Sequence, residues 1–196
     1  MLASKIDRPY EKHDCTRICQ GDISRDYSLV FVSPKEGKVE ELSFPYLVVL
    51  TQDCDLEQFY SNLKNQKENN AKLNQFLPNI LVIPAFPSEQ AREGNHLKEL
   101  FDVAQDRLAS DIWKRVKQNK DERYHLLPPY QDFQVPELLL DFKTYMTVSY
   151  EDFSTSLSKN YLVTINELFR DDLSHRFCSY LSRIGLPDIS VPPPAC

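Results

Sequence analysis

Thr51-Gln52-Asp53-Cys54-Asp55 is the stretch of this chain richest in reactive side chains. Two carboxylates, an amide and a thiol follow directly on an apolar run, Tyr46-Leu47-Val48-Val49-Leu50. A strand continuing this far puts Asp53 and Asp55 on one face and Gln52 and Cys54 on the other. A helix starting directly afterwards turns its positive end toward Asp55 or Cys54, which lowers a thiol pKa and makes Cys54 a candidate nucleophile. The plainer reading makes Asp55 a helix N-cap and Cys54 a small buried hydrophobe. A thiol nucleophile needs a base within reach. Of His13, His96, His125 and His175, the best placed is His125, because Arg123-Tyr124-His125 reads as part of a strand. The candidate catalytic set is Cys54, His125 and Asp53. The candidate binding set is Gln52, Asp55, Arg123 and Arg25.

Other chemistry is less well supplied. Cys15 and Cys19 lie four apart with His13 near them, which gives a zinc site three ligands and no fourth, so no metal is expected. Asp53 and Asp55 offer oxygen to Mg²⁺, but an Asp-x-Asp pair alone is a weak signal. The chain has four glycines and neither a GxGxxG nor a Walker pattern, so no nucleotide cofactor is expected. Arg170, Arg176 and Arg183 recur along the last helical stretch, either as an anion- or partner-binding edge or as a solvated face.

The elements that position these residues follow from apolar spacing. Residues 1–19 read as a polar, mobile N-terminal arm. Gln20-Gly21-Asp22-Ile23 is a turn into a strand, Tyr27 to Ser33 is β-rich, and Pro34 to Lys38 is a hairpin turn. The run from Tyr46 to Leu50 is apolar at every position, as a central strand buried on both faces requires. A short helix follows, with Leu56, Phe59, Tyr60 and Leu63 at helical spacing. Residues 62–75 read as an exposed helix end or loop. Ile80 to Ile83 is a second buried strand, stopped by Pro84 and Pro87. Leu97, Leu100, Phe101, Ala104, Leu108, Ile112 and Val116 form one stripe and predict a long helix, with cations at its C-terminal end. Short strands are predicted at Arg123 to Leu127, Val135 to Val148 and Tyr161 to Ile165. A last helix runs from about Asn166 to Ile184, closed by Gly185 and Pro187.

Strands clustered by hairpins, with helices segregated, favour α+β around a small antiparallel barrel over a parallel sheet. The expected organisation is an arm over 1–19, one barrel domain over 20–187 with a helical insertion at about 88–120, and a flexible tail over 188–196. A chain of 196 residues suits one such domain. The net charge of −6 favours solubility and does not suggest phosphate-driven nucleic-acid binding. Five cysteines, an odd and sparse set, predict free thiols in a reducing cytoplasm. The start carries no apolar segment of the secretory kind. The longest apolar run is far too short for a bilayer, so no membrane is expected.

Gln20-Gly21-Asp22-Ile23, then a hairpin, then Pro45-Tyr46-Leu47-Val48-Val49-Leu50-Thr51, resembles the opening of PemK/MazF-like barrels. A group of uncharacterised bacterial proteins is similar over most of the chain. It shares the Gln-Gly-Asp-Ile start, the centre from Val49 to Leu56, the segment Arg123 to His125, and the ending Arg183-Ile184-Gly185-Leu186-Pro187. The PemK/MazF resemblance covers roughly residues 20–86. It implies an SH3-like barrel that cuts single-stranded RNA or binds an antitoxin peptide. Phe44 stands where that family has Arg, Ala85-Phe86 where it often has Thr or Ser, and Arg25 has no basic neighbours to help grip RNA.

Three functional readings follow, and whether the chain is an enzyme stays open. The first is a barrel-based binding or regulatory module with a protein partner, in a bacterial defence or toxin–antitoxin system. The second is a MazF-like endoribonuclease, in which Arg25, Arg123 or His125 shares a groove with Thr51 or Asp53. The third is a thiol hydrolase or transferase using Cys54 and His125.

Overall fold

The computed structural model describes residues 8–32, 37–66 and 75–183. The expected turn residues 34–36, most of the polar stretch after Gln66, and the tail with Gly185, Pro187 and Cys196 lie outside them. Eight strands form one antiparallel sheet among the described residues: β1 (Tyr10–Glu11), β2 (Asp22–Val32), β3 (Val39–Val49), β4 (Asn79–Pro87), β5 (Tyr124–Leu127), β6 (Leu138–Asp141), β7 (Met146–Ser149) and β8 (Tyr161–Ile165). Their order is β1-β8-β2-β3-β4-β6-β5, and β7 also pairs with β4. The sheet curves into a half-barrel. Among the described residues six α-helices accompany it: α1 (Asp53–Gln66), α2 (Ser88–Arg92), α3 (Lys98–Phe101), α4 (Ser110–Lys117), α5 (Tyr150–Asn160) and α6 (Glu167–Leu181). The class is α+β.

The apolar run before Thr51 is an interior strand for the reason its composition suggested. β3 lies between β2 and β4, and Leu47, Val48 and Val49 are all fully buried. Val48 packs on one face with Ile23, Ile83 and Val163. Leu47 and Val49 pack on the other with Leu56, Ile80 and Phe153. Two covered faces remove the need for polar alternation.

Several elements depart from expectation. Residues 8–19 are not a mobile arm: Tyr10 and Glu11 pair with Ile165 and Thr164, the Tyr10 hydroxyl donates to the Pro128 carbonyl at 2.7 Å, and Ile18 is buried. Two buried apolar side chains and a strand rung tie this segment down. β4 runs through Pro84. Its first half pairs with β7 and its second with β6, so Pro84 sits in the gap where that edge has no ladder donor to supply.

The long helix over 97–116 is instead α3 and α4 separated by an irregular stretch. Asp102 takes φ +53 and ends α3. The chain then folds back, with the Gln105 amide donating to Gly94 (3.1 Å) and the Leu108 amide to Arg92 (2.9 Å). Gly94 has φ +78, and any side chain there would collide with the Gln105 carbonyl. The apolar stripe is therefore divided: Leu100 and Phe101 lie on α3, Ile112 and Val116 on α4, and Leu97, Ala104 and Leu108 outside both.

Val135 to Val148 is not one strand. The Asp141 carboxylate accepts from the Lys143 amide (3.1 Å) and its carbonyl from the Thr144 hydroxyl (2.8 Å). That local capture bends Phe142–Thr144 into a 3₁₀ turn between β6 and β7. α5 was not foreseen, although Ser149 caps it by accepting from the Asp152 amide and Phe153 and Leu157 bury its inner face.

A candidate binding groove beneath the β2–β3 hairpin

The two motifs that drew attention in the sequence meet in space. Gly21 (φ +86) turns the chain so that its amide donates to the Val49 carbonyl and its carbonyl accepts from Ile165, each at 2.9 Å. A methyl group there would crowd Ile165 and Arg170 at 3.2 Å. The Gln20 amide donates to Asp53 (3.1 Å), and Arg17 holds both oxygens of the same carboxylate at 3.0 and 2.9 Å. The Arg17 guanidinium holds the Asp53 carboxyl below the usual range. Asp53 therefore fastens the Gln20 turn to the start of α1, with donors on both carboxylate oxygens.

The rest of the cluster does not assemble as a catalytic site. α1 begins at Asp53, three residues earlier than an Asp55 cap requires, and the Gln52 carbonyl accepts from Asp55 and Leu56. Helical turning replaces the expected strand alternation. Gln52, Cys54 and Asp55 are all exposed, and Cys54 Sγ contacts only Gln52 Oε1 (3.7 Å) and Asp55 Oδ1 (3.9 Å) among its hydrogen-bonding neighbours. His125 is elsewhere, on β5, 2% exposed, with Nδ1 accepting from Arg176 Nε at 3.1 Å. Burial, aided by the Arg176 charge, pushes His125 down to about 3. A base must meet its nucleophile, and these two side chains do not meet. Arg25 is exposed on β2, opposite Tyr46.

His13, Cys19 and Asp22 place a nitrogen, a sulfur and a carboxylate oxygen within 4.8 Å of one another. The Cys15 amide donates to His13 Nδ1 (3.0 Å), which puts the ring proton on Nε2, where it donates to Asp22 (2.9 Å). Burial and the Asp22 charge push the Cys19 thiol up to about 12. Asp22, fully buried, also accepts from the Cys19 amide (2.7 Å) and the Thr164 hydroxyl (2.6 Å). The cluster is a satisfied hydrogen-bond knot joining residues 13–22 to β8.

The remaining singled-out residue, Arg123, opens onto a groove. A cavity of about 530 Å³ runs beneath the β2–β3 hairpin, walled by Leu29, Phe31, Leu42 and Phe44 on one side and by Phe101, Val103 and Tyr145 on the other. Phe101, Val103 and Tyr145 stay 47, 46 and 43% exposed. Its polar end is built on Asp141, which is 0% exposed. Arg123 Nε donates to Asp141 Oδ1 (2.8 Å) and Nη2 to Oδ2 (2.5 Å). Burial works against the Asp141 charge, but hydrogen bonding and the Arg123 guanidinium outweigh it and hold the carboxyl below its usual range. The Tyr124 ring lies 4.8 Å beneath the guanidinium. Gln105, Lys143 and Thr144 complete this end. β3 has no strand partner on its second edge over residues 39–45 among the described residues.

Sequence reasoning reached Arg123 but missed the groove. One signal was available: Asp141 closes an all-leucine run, and a buried carboxylate needs a cation, which the β5–β6 pairing supplies by setting Tyr124 opposite Asp141. The exposed wall at Phe101 and Val103 carried no such signal, because Phe101 fell on the helical stripe and Val103 on no pattern.

No protein-family model matches the chain, and no curated protein matches it significantly. Among the described residues no helix is long and apolar enough to cross a membrane.

Proposed function

We propose that this chain is a binding or regulatory module that takes a segment of a partner protein in the groove beneath the β2–β3 hairpin. The observation that carries this reading is the exposed apolar wall of Phe101, Val103 and Tyr145 facing an arginine fixed by a fully buried aspartate. Apolar side chains around a few oriented polar groups are the usual make-up of a binding site. The resemblance to PemK/MazF-like barrels supports the same reading. On it, the half-barrel is an SH3-type barrel enlarged by helices, bacterial and cytoplasmic, with a protein partner of the toxin–antitoxin or defence kind.

The catalytic alternatives have less support. A thiol mechanism needs Cys54 beside His125, and one is exposed on α1 while the other is buried on β5. An RNA-cleaving mechanism needs Thr51 or Asp53 free. The Thr51 hydroxyl accepts from the Leu81 amide at 2.6 Å, and Asp53 is held by Arg17.

A photo-cross-linking residue replacing Tyr145 tests the proposal, with the same residue at exposed Glu57 on α1 as the control. The protein trapped in the native host is then purified and titrated against the chain. We expect cross-linking from position 145 and not from 57, and at least a tenfold loss of affinity with Leu42→Glu. Equal cross-linking from both positions, or unchanged affinity, overturns the proposal.

A further inference from the structure

We infer that the groove's occupant is an extended segment of a partner protein carrying a carboxylate between large apolar side chains. The inference rests on the binding reading above and adds the chemistry of what is bound. Three observations converge on it.

The first is charge. Asp141 is the one acid lining the groove among the described residues, and it is fully buried and committed to Arg123. Arg123 and Lys143 are the two cations, so the groove keeps one uncompensated positive charge in a chain whose net charge is −6. An acidic side chain complements the Arg123 and Lys143 end of this groove.

The second is geometry. Arg123 uses Nε and Nη2 on Asp141, and Nη2 also reaches Gln105 Oε1 at 3.4 Å. Nη1 has no partner among the described residues, and the side chain is 26% exposed. The buried aspartate on one edge and the Tyr124 ring beneath hold the guanidinium in place, so binding costs it little rotamer freedom. A carboxylate is the planar acceptor such a donor recognises.

The third is the open edge of β3. Backbone groups over residues 39–45 face no strand on that side among the described residues, beside the apolar wall formed by Leu42 and Phe44. An added strand takes its main-chain hydrogen bonds from such an edge and sends alternate side chains into pockets. An extended segment therefore satisfies edge, wall and cation together, which a compact small molecule does not.

The test is a random octapeptide display library panned on the purified full chain, followed by fluorescence anisotropy on the best peptide. We expect enrichment of sequences with Asp or Glu flanked by large apolar residues. Changing that acid to its amide should weaken binding about tenfold or more, and Lys143→Glu and Phe101→Asp should each weaken it similarly. Arg123 alone is a poor probe, since removing it strands Asp141 in the interior; the paired replacement Arg123→Met with Asp141→Leu removes the cation while filling the space, and it should also lose the preference for the acid. Groove-dependent peptides indifferent to the acid-to-amide change overturn the carboxylate inference and leave the binding reading standing. Failure to enrich any peptide sensitive to Phe101→Asp overturns strand docking, and the cross-linking experiment then decides the binding reading separately.

Discussion

His125 shows how a reactive residue type can be fixed in a structural role. Its ring is buried on β5 and accepts from Arg176, which also donates to the carbonyls of Asn119, Asp121 and Tyr124. Arg176 is thus a clamp between α6 and the strand, where the sequence alone suggested a solvated cation. The folded-state pKa of His125 lies far below the unfolded value, so its contribution to stability is complete above about pH 6.5 and declines as pH falls toward about 3. His13 acts in the opposite sense: the Asp22 hydrogen bond raises it, so its contribution is complete below about pH 6.5 and is lost as pH rises through its folded value. Urea unfolding at pH 8 and pH 5 should show a His125-linked loss of about 2 kcal/mol at pH 5, absent in His125→Gln. An unchanged pH dependence in the variant would remove this account of His125. The residue types of Asp53, His125 and Arg123 marked them in the sequence. Their roles depend on Arg17, Arg176 and Asp141, which are 36, 51 and 18 positions away and carry no local pattern.

Among the elements, β3 and β8 were legible because burial wrote itself into continuous apolar runs, and α6 from its helical spacing, although only Leu173 and Phe177 of its stripe are buried. The break between α3 and α4 was not, since a stripe at helical spacing is equally compatible with two short helices around an irregular return. The turn at 142–144 was hidden because it depends on one carboxylate bonding its neighbours' backbone. The same kind of local device protects the far edge of the sheet. Asn119, at φ +51, accepts from the Leu126 amide (2.7 Å) and donates to the Leu126 carbonyl (3.0 Å), so a side chain stands in for a neighbouring strand on β5. Asn119→Ala should destabilise the protein by about 2–3 kcal/mol, from two lost hydrogen bonds and a strained left-handed residue. Asn119→Gly should recover about 1 kcal/mol of that by relieving the backbone. Equal destabilisation of the two variants in denaturant titrations would show that backbone strain is not part of the cost.

Across the whole molecule, protection and exposure are unevenly distributed. β5 is covered by the Asn119 side chain and tied to α6 through Arg176. The β2–β3 hairpin instead projects beyond β4 and β8 with Val30, Val32 and Val39 at 63, 62 and 71% exposure on one face and the groove on the other. Natural sheets usually blunt such edges, and one left open beside an apolar wall is a place for another chain. The half-barrel and its interior strand could be anticipated from the sequence. The groove could not, because it forms between a hairpin and a segment more than fifty residues later that no periodicity linked to it.

Hydrogen–deuterium exchange on the chain with and without its cross-linked partner tests this account most directly. Protection should concentrate on the amides of residues 39–44 and on the opposing wall at 101–105 and 143–146, with the first turn of α1 unchanged. Protection confined to the rim around Gln52, Cys54 and Asp55, with residues 39–44 exchanging as in the free chain, would contradict it.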